Sequence, residues 1–324
     1  VKSNKIIFWI TIQIKFLMIE KKFDIRNSNK IKNFNQKIEV DSDKSLSIRS
    51  LLFSAISENI SEIDNLLVSE DVKTTLRCLK SLGVVFKKKG ARYYIYGKGL
   101  GSFTASKNAK LDFGNSGTLA RLMIGILSST PNIDVKLIGD SSLNKRNMSG
   151  VIDLMKKFGA NFSPSGKVHF PLNMCSSEIP IGIKYIAGKS AQLKSSVILA
   201  GLNSFGNTTV IERLKSRDHT ERLLKKNKSI QIKKYKKENV IRVIGKRALQ
   251  PYKIKISGDP SSAAFFCALT LLLNKSKLLI TNVGLNPTRT GFYSLLKKFG
   301  AKINFKNIKN INSEKKGDIE IKSS

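Results

Sequence analysis

Asp43-Lys44-Ser45-Leu46-Ser47-Ile48-Arg49-Ser50-Leu51-Leu52 runs from a polar, capping-type start into an apolar helix. The same arrangement returns at Asn115-Ser116-Gly117-Thr118-Leu119-Ala120-Arg121-Leu122-Met123 and at Ser190-Ala191-Gln192-Leu193-Lys194-Ser195-Ser196-Val197-Ile198-Leu199. It returns again at Asp259-Pro260-Ser261-Ser262-Ala263-Ala264-Phe265-Phe266. Ser45, Ser116, Ser190 and Ser261 lie 71, 74 and 71 residues apart. Such a step means one supersecondary unit used repeatedly. It places the start of a further unit near residue 332, past Ser324.

The second half of each unit repeats too. Leu82-Gly83-Val84-Val85-Phe86, Leu154-Met155-Lys156-Lys157-Phe158-Gly159-Ala160 and Leu295-Leu296-Lys297-Lys298-Phe299-Gly300-Ala301 each end a helix on glycine and open a strand. The third unit departs, with Asn227 in Leu223-Leu224-Lys225-Lys226-Asn227-Lys228-Ser229, and Asn is expected to supply the left-handed residue there. Each unit reads strand, helix, strand, helix, turn, hairpin. The fold class is mixed α/β, with three units closing into one domain.

The chain has 324 residues, 41% of them apolar, enough for two domains with real cores. Its net charge is +35, yet only 12 of its 58 basic residues are Arg, and the lysines are scattered through every unit. That distribution reads as solvated faces and a field that attracts small polyanions. A nucleic-acid-binding protein is the alternative of another class, but the chain has no recognised reading module and no aromatic-basic interleaving. The cysteines Cys78, Cys175 and Cys267 are odd in number and far apart, which argues against a disulfide framework and a zinc site and fits a reducing cytoplasm. The apolar run Ile6–Ile19 carries Gln13 and Lys15, is too short to span a bilayer, and precedes no small-x-small cleavage site. The expectation is an extension over residues 1–30, with a true start at Met18. Residues 27–37 read as a polar loop.

Several helix starts carry chemistry. Lys44, Ser45 and Arg49 put two cations and a hydroxyl beside free backbone N–H groups, an arrangement that holds anions. Gly114-Asn115-Ser116-Gly117 lets backbone N–H groups approach a ligand closely. Arg146 precedes a helix, where a guanidinium can grip phosphate or carboxylate with two hydrogen bonds. Gly188-Lys189-Ser190 is no P-loop, because Gly182 leaves five intervening residues where the motif needs four. Ser190 and Gln192 still stand at an anion-binding helix start. Arg217 lies in Ser216-Arg217-Asp218-His219-Thr220-Glu221. No second ligand stands at helical spacing from His219, so no metal is expected, and no Gly-x-Ser-x-Gly elbow supports a serine hydrolase. If three units pack around a pseudo-threefold axis, these starts converge on one cationic mouth for a substrate with several negative charges.

At these motifs the chain resembles the EPSP synthase (3-phosphoshikimate 1-carboxyvinyltransferase) family. Asp43-Lys44-Ser45 with Arg49 is similar to its first signature, although Asp41-Ser42 stand where Pro-Gly is usual. Leu111–Thr118 with Arg121-Leu122-Met123 is similar to the second. Gly139–Leu143 with Arg146 and Met148 is similar to the third, with Asn147 for a usual Pro. Ser190–Ser195, Ser216–Glu221, Gly258–Ala264 and Asn286-Pro287-Thr288-Arg289-Thr290-Gly291 complete the series, in order, over residues 31–324.

The resemblance implies two lobes, each of three βαβαββ units, hinged where the chain crosses twice. By it, residues 44–256 form the second lobe, residues 31–43 and 257–324 form an incomplete first lobe, and four of six units are present. It implies transfer of the enolpyruvyl group of phosphoenolpyruvate to the 5-hydroxyl of shikimate 3-phosphate, releasing phosphate, on the way to chorismate and the aromatic amino acids. It implies no metal or organic cofactor, no nucleic-acid or membrane partner, a cytoplasmic location and a monomer when complete. Lys44, Ser45, Arg49, Ser190, Ala191, Gln192 and Arg217 would hold shikimate 3-phosphate. Lys44, Asn115, Gly117, Arg146 and Gln192 would hold phosphoenolpyruvate. The Asp that acts as base is expected beyond Ser324, so the chain reads as a truncated member of the family. The alternative within the fold is an enolpyruvyl transferase acting on a UDP-sugar, whose family has Lys-Asn where Lys44-Ser45 stand.

Overall fold

The computed structural model describes residues 33–106 and 109–323. The expected extension over residues 1–30, with its start at Met18, lies outside them. Strand β1 (Asn35–Glu39) leads to helix α1 (Lys44–Ala55), β2 (Ile60–Asp64), α2 (Glu70–Ser81) and the hairpin of β3 (Val85–Lys89) and β4 (Arg92–Tyr96). A second pass gives β5 (Ala109–Asp112), α3 (Gly117–Ser128), β6 (Asp134–Ile138), short α4 (Ser141–Asn144), α5 (Ser149–Lys156), β7 (Asn161–Ser163) and β8 (Leu172–Cys175). A third gives β9 (Lys184–Ala187), α6 (Ala191–Leu202), β10 (Asn207–Glu212), α7 (His219–Leu224), β11 (Ile230–Lys234) and β12 (Asn239–Ile244). The fourth gives β13 (Lys253–Lys255), α8 (Pro260–Leu272), β14 (Lys277–Gly284), α9 (Gly291–Lys298), β15 (Lys302–Ile311) and β16 (Glu314–Lys322). The mixed α/β repeat read from the sequence is therefore the fold.

Four sheets of four strands result, ordered β13-β2-β4-β3, β5-β6-β8-β7, β11-β12-β10-β9 and β1-β14-β16-β15. In the second and third, the leading strand pairs parallel with the next strand of its own pass, as Leu111 does with Leu137 and Tyr185 with Val210. In the other two sheets the leading strands are exchanged. β1 pairs with β14, setting Ile38 against Ile280, and β13 pairs with β2, setting Ile254 against Ile63. The chain crosses between these sheets twice, side by side: Ser42 bridges Gly258, and Asp43 N donates to Ser257 O at 2.9 Å.

Alternation fixes which strand face is covered. Val135 and Leu137 of β6 are buried while Asp134 and Lys136 are exposed, as a strand with one wet face requires. Buried side chains form two apolar clusters, one drawn from Leu46 to Ile256 and one from Ala263 to Ile321, with Ile38 and Val40 packed on the second. Helices α1, α3 and α6 are buried on almost every side. Small residues let them close up: a Cβ on Gly125 of α3 would stand 2.6 Å from the Ser196 carbonyl oxygen of α6.

Two local expectations fail. In the third pass Lys228, at φ +50°, takes the left-handed turn position, not Asn227. Asn227 is buried and used otherwise: it donates to the Tyr252 hydroxyl at 2.8 Å and accepts from Gln250 N at 2.6 Å. Residues 35–37, expected as loop, are strand, because pairing with β14 supplies the partners that their polar composition does not advertise.

Candidate functional site

The first helix of each pass is capped at its start, and the cap differs by pass. Ser116 and Ser190 accept from Leu119 N and Leu193 N at 3.4 and 3.3 Å. For α1 and α8 the cap is aspartate: Asp43 accepts from Leu46 N at 2.8 Å and Asp259 from Ser261 N at 2.7 Å. Ser45 and Ser261 therefore sit inside the first turn rather than at the cap.

Beside the start of α6 lies an open cleft of about 530 Å³. Lys189, Ser190, Ala191 and Gln192 form one wall, Lys215, Ser216 and Arg217 a second, and Pro287 with Thr288 a third. No acidic side chain lines it. Arg217 is exposed and makes no hydrogen bond or ion pair among the described residues. Partial burial, and then the charge of Arg289, hold its pKa below the ordinary guanidinium value. A cation so placed gains from an incoming anion.

Gln192 connects this cleft to the start of α3, donating to Thr118 Oγ1 at 3.0 Å. There Arg146 donates to Asn115 Oδ1, and Arg121 donates to the Gly117 carbonyl at 3.2 Å and the Asn147 carbonyl at 3.3 Å. Both guanidiniums press on Gly117: a Cβ at that position would stand 2.9 Å from Arg121 Nη1 and 3.0 Å from Arg146 Nη1. Burial and the neighbouring Arg146 charge lower the Arg121 pKa. Lys44 joins the group through Asp71, whose carboxylate lies 3.2 Å from Lys44 Nζ and accepts from Ser116 Oγ at 3.1 Å.

Arg49 is placed differently. It is buried, and it donates to Ser45 Oγ at 2.8 Å, Thr220 Oγ1 at 3.2 Å and Ser195 Oγ at 3.4 Å. Burial lowers its pKa to about 10 against the pull of Asp43. It ties α1, α6 and α7 together beneath Ser45. The structure thus groups Ser190, Ala191, Gln192 and Arg217 in one cleft, and Lys44, Asn115, Gly117 and Arg146 around the start of α3. Ser45 and Arg49 stand at the start of α1.

Sequence reasoning assigned no role to Arg121, Lys194, Arg289 or Glu314. Arg121 had a signal, because it falls four residues after Gly117 on the same helix face. Arg289 had none locally. Its buried guanidinium reaches Asp43 Oδ2 and Asp259 Oδ1, both at 2.8 Å, so one side chain holds the caps at both crossings. Its Nη1 also lies 3.3 Å from His219 Nε2, while His219 Nδ1 faces Glu314 Oε1 at 2.7 Å. Among the described residues no group of His, Cys, Asp and Glu is placed to hold a metal ion, and no helix is long and apolar enough to cross a membrane.

The model of the EPSP synthase (3-phosphoshikimate 1-carboxyvinyltransferase) family matches residues 28–323. A 3-phosphoshikimate 1-carboxyvinyltransferase of Zymomonas mobilis is 39% identical over 301 residues, which cover 92% of this chain and 66% of that protein. The Bacillus subtilis enzyme of that name is 37% identical over 298 residues, covering 91% and 68%. Among solved structures, EPSP synthase from Acinetobacter baumannii superposes with a TM-score of 0.80 at 35% identity, covering 91% of this chain and 66% of that one. The enolpyruvyl transferase NikO from Streptomyces tendae shares the fold, with a TM-score of 0.66 at 13% identity. The chain spans about two thirds of the length of these relatives. With a family model matched over nearly the whole chain and relatives at 37–39% identity, the chain belongs to the EPSP synthase family.

Proposed function

We propose that the protein acts in the transfer of the enolpyruvyl group of phosphoenolpyruvate to the 5-hydroxyl of shikimate 3-phosphate. Family membership supports the reaction. The cleft beside α6 is the observation that carries the substrate reading: its cations have no acidic partner in the lining, and Arg217 has no hydrogen bond to give up before taking a ligand. Shikimate 3-phosphate would lie against Ser190, Ala191, Gln192 and Arg217, with Lys44, Ser45 and Arg49 at the start of α1. Phosphoenolpyruvate would lie near Asn115, Gly117 and Arg146, with Lys44 and Gln192 between the two ligands. Each contact of a guanidinium or ammonium with phosphate or carboxylate is charge-assisted. No base toward the 5-hydroxyl is assigned to a residue of this chain. The three free thiols fit a reducing compartment, and the cytoplasm is the location proposed.

Isothermal titration tests the reading. Shikimate 3-phosphate should bind, and a UDP-sugar should not. Arg217→Ala should weaken binding by about 1.5–3 kcal/mol, the worth of a hydrogen bond to a charged group. Lys298→Ala removes one cation from an exposed site on α9 and should change nothing measurable. Equal losses in the two variants would reduce the binding to diffuse attraction toward a +35 chain.

A further inference from the structure

Lys194 lies on α6, two residues after Gln192, and its side chain is 0% exposed. Its ammonium stands 2.6 Å from Glu212 Oε1 and 2.6 Å from Glu221 Oε1. These carboxylates bracket the segment that carries Arg217: Glu212 closes β10, and Glu221 lies on α7. Glu212 Oε1 also accepts from Ser216 N at 2.9 Å and from Ser216 Oγ at 3.0 Å. One ammonium therefore holds both ends of the segment and, through Glu212, the residue just before Arg217.

An ammonium inside a core is costly, and an apolar side chain of similar volume often serves stability as well or better. Stability alone therefore does not call for Lys194. Geometry does. Arg217 has no side-chain hydrogen bond of its own, so its place in the cleft depends on the backbone beneath it. That backbone forms one wall of the cleft, and α6, which carries Lys194, begins in another. Burial opposes the ammonium, but the two carboxylates outweigh it and keep the Lys194 pKa above its ordinary value.

We propose that Lys194 is a positioning residue for Arg217: from inside the core it fixes the span from Glu212 to Glu221 against α6 and so sets the width of the cleft at its cationic wall. The ligand part of the test rests on the proposed shikimate 3-phosphate reading; the exchange part does not. In the full chain, Lys194→Met should speed amide hydrogen exchange over residues 213–218 by about tenfold or more, while α1 keeps its protection. The dissociation constant for shikimate 3-phosphate should rise about tenfold with Arg217 present, and by less than about twofold in an Arg217→Ala background, because the two side chains act as one unit. Unchanged exchange over 213–218, or an equal loss of affinity in both backgrounds, overturns the proposal. If Lys194→Met does not fold, the charge-free combination Lys194→Met, Glu212→Gln and Glu221→Gln takes the same measurements. If the unaltered chain does not bind shikimate 3-phosphate, the proposed function falls, and the exchange result alone decides the role of Lys194.

Discussion

Two guanidiniums occupy the space that a side chain at Gly117 would need. Both are the far ends of flexible chains, so Gly117→Ala moves the cations rather than the backbone. The fold should change little, because Gly117 is the first residue of α3, where the advantage of alanine over glycine of about 0.5–1 kcal/mol in helix interiors does not apply in full. Anion binding should suffer, because Arg121 and Arg146 must give up their shared position. Titration with phosphoenolpyruvate should show affinity down by roughly tenfold or more, or about 1.4 kcal/mol. Thermal unfolding should show no loss of Tm. A parallel loss of Tm would place the fault in packing. At this scale most of the candidate site was legible, because glycine, hydroxyl and cation at a helix start are local chemistry. Arg289 was not, because its partners Asp43 and Asp259 lie far away in the chain and no spacing rule joins them.

Helix caps show where the elements of one repeat diverge. In the second and third passes a serine caps the first helix, whereas in the first and fourth an aspartate does, and both aspartates share Arg289. Losing a serine cap removes one hydrogen bond, so Ser190→Ala should cost about 1 kcal/mol. Arg289→Gln removes the cation from two nearly buried carboxylates and should cost about 3–5 kcal/mol. Urea unfolding of the two variants measures the difference, and equal midpoints would remove Arg289 from its place as the tie between the crossings. The helices themselves were readable from capping residues and apolar runs. The exact cap was not, since Asp43 and Ser45 are both good caps and tertiary contacts with Arg289 chose between them. The exchange of leading strands is not written in local pattern; it was expected only through the resemblance, which sets residues 31–43 with residues 257–324.

At the scale of the whole molecule, exposed apolar side chains gather on the fourth pass. Helices α8 and α9, linked by the Tyr293 hydroxyl donating to the Pro260 carbonyl at 2.6 Å, leave Phe265 77% and Phe299 81% exposed, with Leu272 and Leu295 also bare. Large apolar side chains left this exposed promote association. Sedimentation of the chain should show concentration-dependent self-association that Phe265→Ser with Phe299→Ser reduces. Exposed sites tolerate such changes within about 0.5 kcal/mol, so stability should hold. A monomer at every concentration would contradict the prediction. The exchanged strand β1 has a further consequence during synthesis. Glu39 and its partner Thr281 are 242 residues apart, so β1 leaves the ribosome long before the strand that will accept it. At ordinary elongation rates that interval is on the order of tens of seconds, during which a bare strand invites the wrong neighbour. Asn35-Gln36-Lys37-Ile38-Glu39 carries one apolar residue in five. The polar composition that hid this strand in the sequence is what lets the nascent chain carry it safely until its sheet is made.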